Sequence, residues 1–352
     1  MSVHGGDRAG FQTEYGTLPL DFSANISPLG LPEGVKEALL SSVEDAEHYP
    51  DAQYRALKEA LSNHHGVPQS TVVCGNGAAD LIFRLVLMLR PHRALVAVPT
   101  FSEYENALRL SGCATEVFPL REENGFILTE DILDAVTEQT EMLFLCNPNN
   151  PTGRLISQEL LLRIVQRCEE TGTYLLLDEC FLDFVRDGEE RSLLRLLPSS
   201  PHLVILRAFT KIYAMPGLRL GYAICGSERL ASRLEAFSQP WPVSSLAMKA
   251  GLAALKDENY VNLVRALVAQ ERAFLTEGLT GVGMRVVPGE ANFLLFSCME
   301  QALAEKLRSE GILLRTSAGF TGLPACWYRT AVKTRRDNET LLKAIGRILY
   351  GS

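Results

Sequence analysis

The stretch MLFLCNPNNPTG, which spans Met142–Gly153, is a short apolar run followed by a turn that contains two prolines and a glycine. An uninterrupted apolar run of this length is typical of a strand that is buried on both faces. The prolines and the glycine predict a rigid turn at the carboxyl end of that strand. In open α/β sheets ligands bind at this edge. The stretch therefore predicts a parallel sheet with a ligand site at its carboxyl edge.

The alternation of apolar runs and amphipathic stretches continues on both sides of this turn. Buried strands are predicted at Thr71–Cys74, Arg93–Val98, Met142–Cys146, Tyr174–Leu177, Leu203–Leu206 and Tyr222–Ile224. Helices are predicted between them at Ala78–Leu89, Glu103–Leu110, Thr129–Val136 and Ser157–Glu170. Strands that alternate with helices favour a mostly parallel sheet with right-handed crossovers, so the fold class is α/β.

The pattern changes from about Gln239, where longer helices and a second set of strands begin. Helices are predicted at Gly34–Ser42, Ser244–Leu255, Glu258–Leu279, Leu303–Ser309 and Asn338–Leu349, and strands at Met284–Val287, Asn292–Phe296 and Trp327–Val332. We therefore expect a large domain at 41–238 and a smaller α+β C-terminal domain at 239–352. Residues 1–40 are predicted to form an N-terminal arm with little regular structure that covers the active site.

Composition excludes several classes of protein. The chain has 352 residues and a net charge of −8, which argues against a nucleic-acid or anionic-membrane binder. The N-terminus lacks the apolar segment of a signal peptide, and no apolar stretch is long enough to span a bilayer. None of the eight cysteines lies in a C-x-x-C pair or at a spacing typical of a metal site. We expect a cytoplasmic protein that needs no metal.

Residues that carry chemistry follow the predicted strands. Asp178 ends a buried strand, where a carboxylate needs a partner such as a protonated pyridine nitrogen, although Mg²⁺ or a ribose would serve equally well. Lys211 follows another strand, and a desolvated lysine amine is a good covalent nucleophile. Arg219 lies eight residues further on, and two cations so close indicate a shared anion, for which phosphate is the natural choice.

A glycine-rich turn, Gly75-Asn76-Gly77, lies between a predicted strand and helix, where backbone N–H groups can approach an anion. Alone it is weak evidence, because it is not a Walker A loop. Phe101 follows Pro99-Thr100 at the next strand end. The pattern as a whole is stronger evidence than any one motif. Successive predicted strands are followed, in this order, by the glycine-rich turn, Phe101, the NPNNPTG turn, Asp178 and Lys211. This joint order excludes an accidental pattern.

In this order the residues resemble the fold type I pyridoxal-phosphate (PLP) enzymes of the aspartate aminotransferase superfamily, and most closely the histidinol-phosphate aminotransferase branch. The resemblance covers nearly the whole chain. It implies that Lys211 is the Schiff-base lysine, that Asp178 pairs with the pyridine nitrogen, that Asn150 hydrogen-bonds the phenolic oxygen and that Phe101 stacks on the ring. It further implies a phosphate cradle formed by Gly75, Asn76, Gly77, Thr210 and Arg219.

The resemblance also implies a homodimer with shared sites, because Tyr49 is similar to a tyrosine that reaches the cofactor phosphate of the neighbouring subunit. The chain departs from many relatives after Asp178-Glu179. Where they have Ala or Thr followed by Tyr, it has Cys180 and Phe181. The tyrosine contact to the phenolic oxygen is therefore missing, and Asn150 is the main partner expected for that oxygen.

A closer resemblance lies at the two ends of the chain. His4-Gly5-Gly6 and the segment DFSANISPLG at 21–30, together with the C-terminal segments ILLR at 312–315 and WYR at 327–329, are similar to the cobalamin-pathway L-threonine-O-3-phosphate decarboxylases. This implies that His4, Gly5 and Arg315 bind a substrate phosphate, that Asn25 lines the pocket and that Arg329 binds a carboxylate.

The implied reaction is decarboxylation of O-phospho-L-threonine to (R)-1-amino-2-propanol O-2-phosphate for the cobalamin side chain. Transamination by a histidinol-phosphate aminotransferase or a related enzyme is the alternative, because the same residue types serve both reactions. A non-enzymatic PLP-binding regulator is a minor alternative. Such a protein needs a DNA-binding domain, but only about twenty residues precede Asp21.

Overall fold

The structure is a computed structural model that describes residues 4–351; Met1–Val3, which begin the predicted arm, and Ser352 lie outside the described residues. The strands are β1 (Leu20–Asp21), β2 (Val72–Gly75), β3 (Arg93–Val98), β4 (Ala114–Pro119), β5 (Met142–Cys146), β6 (Tyr174–Asp178), β7 (Leu203–Ala208), β8 (Gly221–Cys225), β9 (Arg285–Val287), β10 (Phe293–Ser297), β11 (Ile312–Leu313), β12 (Arg315–Thr316) and β13 (Trp327–Ala331).

The α-helices that alternate with these strands range from single turns to a helix of 24 residues. They are α1 (Arg8–Tyr15), α2 (Glu33–Ser41), α3 (Arg55–His65), α4 (Ala78–Leu89), α5 (Glu103–Ser111), α6 (Ile132–Ala135), α7 (Gln158–Thr171), α8 (Gly188–Arg191), α9 (Phe209–Ile212), α10 (Glu228–Ala236), α11 (Ser245–Leu255), α12 (Glu258–Gly281), α13 (Leu303–Ser309) and α14 (Arg335–Tyr350). None of the helices within the described residues is long and apolar enough to cross a membrane.

The larger sheet has seven strands in the order β2-β8-β7-β6-β5-β3-β4. β8 runs antiparallel to its neighbours β2 and β7, and the other pairs are parallel. Every residue of β5 and β7 is buried, as expected for strands covered by helices on both faces. The predicted α/β class with a mostly parallel sheet is confirmed.

The edge strand β4 escaped the sequence analysis for a physical reason. It pairs in parallel with β3, but none of its six residues is buried. Its side chains therefore carry no apolar run, and Glu116 on β4 forms an ion pair with Arg93 across the edge. Charge on an exposed edge strand discourages pairing with a second chain.

The smaller sheet is antiparallel, in the order β12-β13-β10-β9. Helices α12 and α14 pack against each other, and α12 also packs on β9 and β10. α11 instead packs against α2 and α3. The predicted strand-rich α+β end of the chain is thus present.

The prediction that the first forty residues hold little regular structure is wrong. Helix α1 occupies Arg8–Tyr15, where Asp7 accepts the Gly10 N–H at the start and Gly16 ends the helix in a left-handed conformation. The low apolar content of α1 hid it, since Phe11 is its one buried residue. After α1, β1 pairs in parallel with β11, Leu20 opposite Ile312.

The arm is therefore part of the fold near the smaller sheet. The Phe22 carbonyl accepts the Ala331 N–H of β13, and Phe22 is fully buried. Further along, the Ser27 N–H donates to the Lys211 carbonyl at 2.9 Å. This segment consequently links the smaller sheet to the residue that follows β7.

Candidate active site

The predicted site residues fall into two groups. The lysine cluster is the set predicted to hold the cofactor within one subunit: Gly75, Asn76, Gly77, Phe101, Asn150, Asp178, Thr210, Lys211 and Arg219. Tyr49 is the further cofactor-binding residue, predicted to reach the neighbouring subunit's cofactor. The arginine cluster is the set predicted to bind the substrate: His4, Gly5, Asn25, Arg315 and Arg329. Asn150 was predicted to contact both ligands.

Lys211 lies in α9, the short helix that begins directly after β7. Burial lowers the pKa of its amine from 10.5 to about 8. Of its charged neighbours, Arg329 and Arg219 lower this pKa further, whereas Asp178 raises it. At pH 7 such an amine is unprotonated roughly two orders of magnitude more often than an ordinary lysine, which suits a nucleophile.

Asp178 is the last residue of β6 and is buried. Its Oδ2 accepts the Tyr104 hydroxyl at 2.6 Å, and its Oδ1 accepts the Cys180 N–H at 2.9 Å. Burial raises the pKa of the carboxyl, while these hydrogen bonds lower it. Both partners are neutral, so within the described residues the carboxylate has no cation hydrogen-bonded to it.

The NPNNPTG turn is held rigidly at the end of β5. Asn147 accepts the Ile156 N–H, and Asn149 donates to the Pro99 carbonyl and accepts the Thr100 hydroxyl. The Asn150 side chain, also buried, uses its Oδ1 to accept a hydrogen bond from Arg329 at 2.6 Å. The amide Nδ2 is thus the atom of Asn150 that can donate to an oxyanion.

The glycine turn lies against a guanidinium at the start of α4. A Cβ on Gly77 would stand 2.5 Å from Nη2 of Arg219, and Gly77 has a φ of +80°. A Cβ on Gly221 of β8 would stand 2.6 Å from the Ala78 nitrogen, so the strand packs tightly on the turn. Thr210, one residue before Lys211, is buried. Helix N-terminus and guanidinium together form a site for an anion.

The two predicted aromatic contacts differ in setting. Phe101 is half-buried and meets the ring of Tyr104 edge-on, with centroids 5.7 Å apart. Tyr49 is 79% exposed and stacks on Trp241 with centroids 4.2 Å apart. Tyr49 is therefore on the surface of this chain, where its ring is accessible to another molecule.

Two arginines of the arginine cluster face each other. Arg315 on β12 and Arg329 on β13 are directly opposed in the antiparallel register, and both are buried. Burial and the Arg315 charge lower the pKa of Arg329 to about 9, and burial lowers the pKa of Arg315. Like charges directly opposite on a sheet are destabilising. An anion bound between them would relieve this repulsion.

The N-terminal arm carries the remaining members of the arginine cluster, and it brings His4 and Gly5 to a cavity that Arg315 also lines. Nε2 of His4 lies 2.9 Å from a carboxylate oxygen of Glu103, and the His4 ring centre lies 6.3 Å from that of Phe101. A Cβ on Gly5 would stand 2.1 Å from the Ser23 carbonyl oxygen, so only glycine fits there. A cavity of about 560 Å³ is lined in part by His4, Gly5, Ser23 and Arg315. The structure thus places both ends of the predicted phosphate site on one cavity.

Asn25 is the predicted substrate residue whose side-chain amide is buried and has no hydrogen-bond partner. The residue is 3% exposed, and neither its Oδ1 nor its Nδ2 has a hydrogen-bond partner. An unpaired buried amide costs free energy, so such groups are normally satisfied. Both atoms of Asn25 are available to a bound molecule.

Sequence reasoning missed several residues. Tyr104 and Ser23, whose carbonyl accepts from Arg329, contact the predicted site residues directly. Arg308 stabilises α1, since it pairs with Glu14 at 2.5 Å and its guanidinium lies 5.1 Å from the Phe11 ring centre. No motif marks any of these residues. Only their position in the fold identifies them.

Comparison with known proteins follows this geometry. The model of the family "Aminotransferase class I and II" matches residues 19–348. The chain belongs to the class I and II aminotransferase family. Pyridoxal phosphate is the cofactor of these enzymes, and the chain is a PLP-dependent enzyme.

Three members of the aminotransferase family show how the chain is placed within it. A threonine-phosphate decarboxylase from Salmonella typhimurium is 40% identical over 99% of this chain and 97% of its own length. A histidinol-phosphate aminotransferase from Desulfitobacterium hafniense is 38% identical over 93% and 91%. The crystal structure of L-threonine-O-3-phosphate decarboxylase from Porphyromonas gingivalis has a TM-score of 0.82 at 26% identity, covering 93% of this chain and 98% of that one.

The described residues fit the cofactor of the aminotransferase family. Asp178 has a buried carboxylate whose hydrogen-bond donors are neutral, which suits a pyridinium. The anion site at Gly77 and Arg219 suits the cofactor phosphate, and Lys211 has a lowered pKa. Each chemical group of the cofactor thus has a complementary group in the lysine cluster.

Proposed function

We propose that this enzyme decarboxylates O-phospho-L-threonine to (R)-1-amino-2-propanol O-2-phosphate, a reaction of cobalamin side-chain synthesis. The observation that carries the proposal is the opposed pair Arg315 and Arg329 beside the His4-Gly5 arm. A substrate with both a carboxylate and a phosphate supplies the two anions that such a pair requires. Relatives named as threonine-phosphate decarboxylases support the same substrate class.

In this proposal the lysine cluster holds the cofactor. Lys211 is its covalent anchor, Asp178 pairs with its pyridine nitrogen, Asn150 donates from Nδ2 to its phenolic oxygen and Phe101 stacks on its ring. Its phosphate is bound by Gly75, Asn76, Gly77, Thr210 and Arg219. Bound pyridoxal phosphate supplies an electron sink for the bond that breaks at the substrate's α-carbon.

The arginine cluster orients the substrate. Arg329 binds the carboxylate, and its pKa of about 9 leaves it mostly protonated at pH 7. Arg315, His4 and Gly5 bind the phosphate, and Asn25 hydrogen-bonds the substrate through its unpaired amide. Anchoring both anions fixes which bond at the α-carbon is aligned for cleavage.

Lys211 then handles the proton. In the ligand-free protein the pKa of its amine is about 8, close to neutral pH, and with substrate bound the amine would serve the α-carbon as a proton donor. An acid with such a pKa donates a proton efficiently. Lys211 in this role protonates the α-carbon after CO₂ has left, and the amine product follows.

The deciding experiment is incubation of the holoenzyme with O-phospho-L-threonine in the absence of a keto acid. Release of CO₂ with formation of the amino-propanol phosphate is the expected result. The opposite outcome is that no CO₂ is released and that the enzyme transfers an amino group from glutamate to imidazole-acetol phosphate. That outcome would replace the proposal with histidinol-phosphate aminotransferase activity, the activity for which the relative from Desulfitobacterium hafniense is named. O-phospho-L-serine serves as a second substrate, because a methyl group gives only modest discrimination.

We further propose that the enzyme is a cytoplasmic homodimer in which each subunit contributes residues to the active site of the other. Tyr49 is exposed and stacked on Trp241, which suits a side chain that completes a neighbouring subunit's phosphate site. All eight cysteines are free, and six of them are buried, which suits a reducing compartment. Sedimentation velocity gives the assembly state. Tyr49→Phe is expected to weaken cofactor binding about tenfold, by loss of one charge-assisted hydrogen bond.

A further inference from the structure

Tyr104 is a buried tyrosine that no site prediction included. It lies in the first turn of α5 and is 0% exposed. Its ring stacks on Phe144 at 5.1 Å and meets Phe101 edge-on at 5.7 Å. Packing on two sides thus fixes the ring, and the ring directs its hydroxyl at Oδ2 of Asp178. A residue fixed in this way can orient the carboxylate it contacts.

Tyr104 donates its hydroxyl to one oxygen of the carboxylate, and the thiol of Cys180 is a second side-chain partner of Asp178. Cys180 donates its backbone N–H to the other oxygen. Burial raises the pKa of the Tyr104 hydroxyl and of the thiols of Cys146 on β5 and Cys180 well above neutral, so all three stay protonated. Lys211 on α9 is the cation whose charge lowers the pKa of Asp178.

We propose that Tyr104 is a positioning residue that keeps Asp178 ionised and thereby keeps the proton on the pyridine nitrogen of the cofactor. This rests on the cofactor assignment made above. One proton is shared between the nitrogen and the carboxylate. A hydrogen bond from Tyr104 stabilises the carboxylate and makes it a weaker base. Without it the proton moves toward Asp178, and the neutral ring becomes a poorer electron sink.

The test compares Tyr104→Phe, which keeps the ring and removes one oxygen, with Tyr328→Phe. Tyr328 is equally buried, and its hydroxyl donates to the backbone carbonyls of Glu300 and Gln301. Tyr328 precedes Arg329 in β13, so its side chain points to the opposite face. Both variants are loaded with ¹⁵N-labelled pyridoxal phosphate, and the ring nitrogen is followed by NMR as a function of pH.

The expected result is that the ratio of protonated to unprotonated ring nitrogen at neutral pH falls about tenfold in Tyr104→Phe relative to the parent enzyme, because the shared proton moves to Asp178. The absorbance transition of the Lys211 Schiff base should move to higher pH, because a neutral ring withdraws fewer electrons. Titration of the apoenzyme with cofactor should show binding weakened about tenfold. Tyr328→Phe is expected to match the parent enzyme in all three measurements.

A nitrogen that titrates identically in Tyr104→Phe and the parent enzyme overturns the inference but leaves the proposed function intact. Failure of both proteins to bind the cofactor overturns the proposed function instead. Should Tyr104→Phe not fold, 2,3-difluorotyrosine at position 104 keeps the shape and donates more strongly. It is expected to raise the protonated fraction of the ring nitrogen, and an unchanged or lowered fraction overturns the inference.

Discussion

The lysine cluster and the arginine cluster are built on different supports. The lysine cluster stands at one edge of the larger sheet, after the carboxyl ends of β2, β3, β5, β6 and β7 and just before β8. The arginine cluster is assembled from the smaller sheet and from an arm at the other end of the chain. In the first, Asp178 and the NPNNPTG turn have partners in place. In the second, Asn25 has none, and two arginines oppose each other.

The difference indicates a division of labour within the site. A preorganised sheet edge suits the cofactor, whose chemistry is shared by relatives that catalyse different reactions. In the arginine cluster the Asn25 amide has no hydrogen-bond partner and two like charges oppose each other, so the proposed function assigns substrate selection to this cluster. Substitutions in the two clusters should therefore have different effects. Those in the lysine cluster should impair the chemical step, and those in the arginine cluster should impair substrate binding.

The largest effect is expected for Lys211→Ala. Loss of both nucleophile and proton donor should lower decarboxylation at least about 10³-fold. The borohydride-reducible adduct with pyridoxal phosphate should disappear, as seen by mass spectrometry. An adduct retained in Lys211→Ala would assign the covalent bond to another lysine.

The ionisation of Lys211 should also appear in the stability of the cofactor-free protein. Its folded pKa of about 8 lies below the unfolded value of 10.5, so the unfolded state binds more protons between these pH values. The cost of the buried amine is thus fully present below pH 8 and is relieved as pH rises toward 10.5. Lys211→Met should therefore stabilise the apoprotein by up to about 3 kcal/mol more at pH 7 than at pH 10.5. Urea unfolding at both pH values measures this difference, and an equal effect at both would contradict a lowered pKa.

Arg315→Ala should break recognition while leaving the lysine cluster intact. We expect KM for O-phospho-L-threonine to rise about 10²-fold, because the variant loses a charge-assisted hydrogen-bonded pair with the substrate phosphate. Unphosphorylated threonine should bind equally weakly to variant and parent enzyme, and cofactor absorbance should not change. In the ligand-free protein the loss of one opposed charge should raise Tm slightly. Equal losses for phosphorylated and unphosphorylated ligands would argue against the assigned role.

The smallest effect is expected for Arg308, the residue that stabilises helix α1 of the N-terminal arm. Arg308→Ala removes the pair with Glu14 and the contact with Phe11, so α1 should loosen and carry His4-Gly5 away from the phosphate. KM should rise about tenfold with kcat nearly unchanged. Arg347→Ala is the matched control, because it breaks a similar exposed pair with Glu310. If both variants behave alike, α1 does not position the arm.

Most of the larger sheet and the lysine cluster could be predicted because their signals are local. Apolar runs mark β5 and β7, and the residues that carry chemistry come directly after each strand. β4 was missed because none of its side chains is buried, and α1 because Phe11 alone faces the core. Such elements are stabilised by pairing and packing with distant residues, which leaves no periodic pattern in the sequence.

Contacts between distant residues were the other limit. The hydrogen bond of Tyr104 to Asp178 joins residues 74 positions apart, and that of Arg329 to Ser23 joins residues 306 apart. The register that opposes Arg315 to Arg329 is a property of the sheet and not of either short segment. Residue identity alone gives no means to infer such proximity.

The pairing of β1 with β11 has a consequence for the order in which the site is made. Leu20 and Asp21 leave the ribosome early, but their partners Ile312 and Leu313 are synthesised almost three hundred residues later. The strands that bear the lysine cluster end at Cys225, long before that point. A nascent chain can therefore complete its larger sheet while Leu20 and Asp21 still lack their partner strand. By the proposed function, the part of the site that recognises the substrate can form only after the part that holds the cofactor.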